Sequence, residues 1–182
     1  MAPSLSLTHM HQFLPLLLVY ALIQFQPSSS NDLVTEICNH NDDSAYCTQI
    51  FNSDGRTPGA DLNGLGEIAI DKGLALATNI SNLIIWKNNT ATDPNLVKYF
   101  GICFVLYDSS KDKLVSASDA LLARRDYGSM NTNAHLAQQD GLDCESTFYG
   151  PPPVQSPITI ENRHFVDLTH ATVVISNMLM PH

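Results

Sequence analysis

With 182 residues, 44% of them hydrophobic, the chain has the length of a single domain and enough apolar side chains to bury a sizeable core. Nine Lys and Arg against 18 Asp and Glu leave a net charge of −9 at pH 7, which excludes nucleic acid as a partner because its recognition needs a basic footprint. A basic protein surface is the natural complement to such a chain, the attraction acting on encounter rate more than on affinity.

From Phe13 to Phe25 the sequence reads FLPLLLVYALIQF, an apolar run too short to cross a bilayer as a helix. Small residues Ser28, Ser29 and Ser30 follow it, as a signal peptidase site requires. Residues 1–30 are therefore expected to be a signal peptide and residues 31–182 the mature domain. No later segment reads as apolar enough to anchor the chain, so the protein is expected outside the cell, away from any membrane. All four cysteines (Cys38, Cys47, Cys103 and Cys144) fall in the mature part, and an even count in a secreted chain argues for two disulfides with three pairings open. Cys38 and Cys47 enclose a short polar segment that suits a local bridge, which leaves Cys103 with Cys144. A zinc site would need CxxC or histidines at ligand spacing, and the sequence has neither.

Residues 31–58 are polar and short-range, with two brief helical stretches around the first cysteine pair, ended by the turn-forming DGRTPG at Asp54–Gly59. Four longer helical patterns fill residues 59–182. The first opens on Asp61 as N-cap, runs to about Lys87 and carries Leu62, Leu65, Ala69, Leu76, Ile80 and Leu83 on one face. The second starts with Asp93 as cap and Pro94 in the first turn, where proline costs nothing. Its stripe is Leu96, Tyr99, Cys103, Leu106, Ser110, Leu114, Ala117 and Leu121. A third begins near Asp126 with Tyr127, Met130, Ala134, Ala137, Gly141, Cys144 and Phe148, and the prolines of GPPPVQSP end it. The fourth, from about Thr159, aligns His164, Leu168, Ala171, Ile175 and Met178. Steps of three and four with short connections predict an all-α antiparallel four-helix bundle behind a short helical hairpin. Cys103 and Cys144 lie on the stripes of adjacent helices, at similar distances from the turn at Arg125–Asp126, where a bridge would tie the two together.

Catalytic signatures are missing: the sequence has no GxSxG, Walker loop, GxGxxG, HExxH or EF-hand spacing. No catalytic residue, cofactor or metal is expected. Sequons occur at Asn79 (Asn-Ile-Ser) and Asn88 (Asn-Asn-Thr), with Asn88 placed at a helix end and Asn79 mid-helix beside Ile80. Arg124-Arg125 is the one adjacent basic pair, followed by Asp126 and Tyr127 at the tip between the second and third bundle helices. Arginine and tyrosine on a rigid tip have the composition of an interface hot spot. Arginine in a last turn also complements the helix dipole without any partner.

The spacing Cys38-x8-Cys47, followed by ADLNGLGEIAIDKGLALATNISNLI, DPNLVKYFGICFVLYDSSKDKL, DCESTF and SPITIENRHFVDLTHATVVI, resembles the plant invertase/pectin methylesterase inhibitor family over essentially the whole mature chain. Within that family it is most similar to the pollen-type members described as invertase inhibitors. The resemblance implies a hairpin closed by the first disulfide, packed on a bundle tied by the second. It also implies a stoichiometric inhibitor of cell-wall or vacuolar invertase, or of pectin methylesterase, in the apoplast. Invertase inhibitors of the family carry Pro-Lys-Phe after the second bundle helix. The matching stretch here is Arg125-Asp126-Tyr127-Gly128-Ser129, without the proline or the lysine, although Arg124 or Arg125 presents a cation nearby. A non-inhibitory binding protein on the same fold is the alternative.

Overall fold

A computed structural model describes residues 29–181, which form six helices and no strand. Residues 1–28, most of the expected signal segment, and His182 lie outside the described residues. The N-terminal hairpin consists of α1 (Ser30–Cys38) and α2 (Ser44–Asn52). Four long helices follow: α3 (Leu62–Thr90), α4 (Pro94–Asp119), α5 (Tyr127–Thr147) and α6 (Thr159–Leu179). In the bundle α3 packs on α4 and α6, and α5 packs on α4 and α6, so the helices run up and down around a square. The hairpin lies outside it, against α6 and α3.

The helix starts follow from short acidic caps. Asp61, Asp93 and Asp126 accept the amide protons of Gly64, Asn95 and Ser129 at 2.9, 2.8 and 3.0 Å, each satisfying a donor that has no partner inside its own helix. α1 is held by a capping box in which Ser29 and Asp32 bond each other's backbone amides. Ser30 Oγ accepts from the Gly59 N–H at 3.2 Å. Both serines thus belong structurally to the hairpin, although the sequence placed them at the end of the signal segment.

Core and stripe agree most closely on α4 and α5. Tyr99, Cys103, Ser110, Leu114, Ala117 and Leu121 are buried, as are Met130, Ala134, Ala137, Gly141, Cys144 and Phe148. On α3 the buried face is shifted: Leu62, Leu76 and Leu83 are only half-buried, while Ile68, Ile70, Ala77 and Ile84 fill the interior. α3 touches two bundle helices as well as the hairpin, so its apolar face is broader than one stripe. This also corrects the expectation that nothing after Phe25 is apolar enough to anchor the chain. An 18-residue window of α3 reaches a mean hydropathy of 1.3, enough by composition to span a membrane, and here its apolar side faces the bundle core. His164 differs too. It is half-buried at the seam between α6 and the hairpin, stacked on the Tyr46 ring at 3.6 Å.

Two bridges staple the fold, Cys38 to Cys47 within the hairpin and Cys103 to Cys144 between α4 and α5. The second lies close to a part-buried polar pair: Lys113 Nζ donates to Asp140 at 2.8 and 2.7 Å, and Ser110 Oγ adds a third bond to that carboxylate. α5 and α6 pack tightly at Gly141, where a Cβ would sit 3.0 Å from both Phe165 and Val166. One network closes this end of the bundle. Asn162 donates to Gly141 O and Glu145, and its carbonyl accepts from the buried Tyr107 hydroxyl. Desolvation pushes the Tyr107 phenol well above its ordinary pKa, so it stays a donor at every physiological pH.

Candidate protein-binding surface

The expected tip residues come together between α4 and α5. α4 widens into a π-helical turn at Ala120–Arg124, which keeps Leu121 buried against the core and leaves Leu122 exposed. Arg125 then reverses the chain in the left-handed region (φ 52°), and the amides of Arg125 and Asp126 both return to Ala120 O. Asp126 caps α5 and also accepts the Ser129 hydroxyl at 2.6 Å. The Ser129 hydrogen bonds, with the nearby Arg124 charge, hold its carboxyl below the ordinary value. Tyr127 points inward, half-buried, its hydroxyl donating to Asn63 Oδ1 at 3.1 Å and fixing the tip to the start of α3.

The four residues therefore divide into two roles. Asp126 and Tyr127 are committed to the fold, whereas Arg124 and Arg125 are exposed and belong to no ion pair among the described residues. Arg56, Lys72, Lys111 and Lys113, by contrast, are held by carboxylates. An exposed arginine with no internal partner keeps all five N–H donors for another molecule.

Sequence reasoning missed a second surface. Ile85 and Phe104 are exposed at the seam of α3 and α4, and Val97 and Val115 are exposed on α4 at helical spacing from Phe104. At that seam Ile84, Ile85, Asn88, Phe100, Gly101 and Phe104 line a groove of about 220 Å³. The signal was available in part, because Val97, Phe104 and Val115 repeat at helical spacing off the α4 core stripe.

The groove also sets the surroundings of the two sequons. α3 continues to Thr90, whose hydroxyl bonds back to Trp86 O and Lys87 O. Asn88 is thus a half-buried groove residue with its Oδ1 sealed from solvent and unpartnered. Asn79 is exposed on the outer face of α3.

With this geometry in place, the fold and its staples identify the class. The chain belongs to the plant invertase/pectin methylesterase inhibitor family, whose model matches residues 32–179. The family consists of inhibitor proteins rather than enzymes. A protein of Actinidia deliciosa named "Pectinesterase inhibitor" is 35% identical over 92% of each chain. One of Platanus orientalis named "Putative invertase inhibitor" is 31% identical, covering 74% of this chain and 78% of its own. Among solved structures, "Crystal structure of mutant form A of a pectin methylesterase inhibitor from Arabidopsis" matches the fold with a TM-score of 0.72 at 23% identity, over 85% of this chain and 100% of that one.

Proposed function

We propose that this chain is a secreted inhibitor of pectin methylesterase that acts by forming a one-to-one complex, with Arg124 and Arg125 in the contact. The observation that carries the choice of target is the tip itself. It lacks the Pro-Lys-Phe through which the family resemblance would imply invertase inhibition, and presents two exposed arginines on a left-handed turn instead. Family membership supports an inhibitory role, and the name of the Actinidia relative agrees with pectin methylesterase as the target. Titrating a fixed amount of each enzyme with the oxidised protein separates the targets. Pectin methylesterase activity should fall linearly to an end point at one equivalent, with invertase untouched. Loss of invertase activity alone would move the target to invertase, and loss of neither would leave a binding protein on an inhibitor fold.

The tip's part in the contact has its own test. Arg124→Ala with Arg125→Ala should weaken inhibition about tenfold or more, roughly 1.4 kcal/mol of binding. The folded state should change by less than about 1 kcal/mol, the scale of a lost helix-dipole complement. An inhibition constant unchanged by the pair would shift the interface to the α3–α4 groove.

We also propose that the chain passes through the secretory route and carries its N-glycan at Asn79 rather than Asn88, because only Asn79 leaves room for a sugar on the folded surface. Protein secreted by plant cells should lose one glycan's mass on enzymatic deglycosylation, with peptide mapping placing the scar at Asn79. Occupancy at Asn88 would mean that the groove is closed by carbohydrate in the mature protein.

A further inference from the structure

The seam between the hairpin and the bundle holds an unusual group. Asp167, on α6, is 3% exposed, its Oδ2 is buried without a hydrogen-bond partner, and none of the ion pairs includes it. Asn41, in the α1–α2 loop, is 8% exposed and has a second unpartnered buried oxygen, although its Nδ2 donates to Asp167 O at 2.8 Å. The other buried carboxylate, Asp140, differs in having its lysine. Around Asp167 the loop supplies His40, Asp42 and Asp43, α2 supplies Tyr46, α6 supplies His164 and His170, and α5 supplies only the uncharged Gln138. Asp42 also borders the neighbouring groove that holds Glu145 and Arg163. His40, Asp42, Asp167 and His170 line one cavity of about 130 Å³.

We propose that this seam is a proton-operated latch: with Asp167 protonated the hairpin stays docked on α6, and with Asp167 ionised the hairpin swings away from the bundle. Three carboxylates, Asp42, Asp43 and Asp167, converge where two chain segments meet, and no lysine or arginine is paired with Asp167 to balance them. Burial raises the Asp167 carboxyl above its ordinary value, with Asp42 and then Asp43 adding to the shift. His164 and the Asp42 amide offset it in part. Undocking exposes the group to water and returns it to an ordinary carboxylate, near 3.9. The docked state therefore holds more protons above that pH, and raising the pH draws the equilibrium toward the undocked state. The direction is opposite to that of a salt-bridged carboxylate, which stabilises as pH rises. The Tyr46–His164 stack, the Asn41 bond and the apolar packing of Val34, Ile37 and Phe51, which are buried in the core, all resist the release. The Cys38–Cys47 bridge keeps the hairpin intact when it lifts.

Amide exchange of peptides from residues 30–52, corrected for the intrinsic effect of pH, measures the docking equilibrium. Between pH 4.5 and pH 7.5 the open fraction in the wild-type chain should rise about fivefold or more, with α4 and α5 unaffected. Asp167→Asn keeps the shape and removes the charge, and should flatten that dependence. Asp42→Asn, exposed and outside the bundle core, should reduce the slope without abolishing it. A wild-type hairpin equally protected at both pH values would overturn the latch. So would a rise that survives in Asp167→Asn, and, if that variant does not fold, an unchanged slope in Asp42→Asn.

Discussion

Replacing Cys103 and Cys144 together by alanine costs the folded chain about 4 kcal/mol. The bridge spans 41 residues of sequence, and the chain-entropy relation for a closed loop of that length gives about 4 kcal/mol at 25 °C. Both sulfurs lie in the fully buried seam of α4 and α5, so each truncation also leaves a small void that close-packed neighbours fill only in part. The corresponding loss for Cys38 and Cys47, which span 9 residues, is about 3 kcal/mol by the same relation. Urea denaturation of both double variants reads the comparison directly, and the m-value should rise as the unfolded chain expands. A loss below about 1 kcal/mol for the long bridge, or one smaller than for the short bridge, would contradict the assignment of the staple's work to the unfolded state.

Lys113→Met is expected to be nearly as damaging, at about 2–3 kcal/mol. Removing one partner of a fully buried ion pair typically costs about 3–5 kcal/mol, because the other charge is left in a low-dielectric site. Here the lysine side chain is 24% exposed and the aspartate 9%, so water reaches the pair and the penalty is smaller. Ser110 alone cannot compensate Asp140, since its hydroxyl supplies only one of the three bonds and no charge. The informative control is Lys113→Met with Asp140→Leu. Apolar replacement of both partners removes the stranded charge, and the double variant should recover most of the loss. Thermal unfolding of the three proteins gives the coupling. If the single and double variants melted together, the pair would be a surface ion pair without structural weight.

Much of the bundle was legible because its signals are local. The caps at Asp61, Asp93 and Asp126 each need one side-chain oxygen and an amide two or three residues on, and sequence spacing supplies both. The α4 and α5 stripes were legible for a related reason: each helix meets its neighbours along a face that one periodic row can fill. On α3 the row broadens because the hairpin adds a third contact, and no window of the α3 sequence contains that information. The end of α3 was set early, near Lys87, because the following Asn88–Pro94 stretch NNTATDP reads as a breaker, while the Thr90 hydroxyl extends the helix by bonding the carbonyls of the preceding turn. The left-handed Arg125 left no trace either, since neither glycine nor asparagine marks the turn. Asp167 was invisible for the most physical reason. Its carboxylate neighbours lie more than a hundred residues away, and only docking of the hairpin brings the charges together.

Arg125 also says what kind of pressure shaped the tip. A left-handed residue with a Cβ costs roughly 1 kcal/mol that glycine would not incur, and a chain selected for stability alone would hold glycine or asparagine there. Under the proposed contact, arginine in that conformation trades folding free energy for what its side chain does beyond the molecule. Thermal melting is therefore the wrong yardstick for variants at this position. A substitution that hardens the protein can be the one that disarms it.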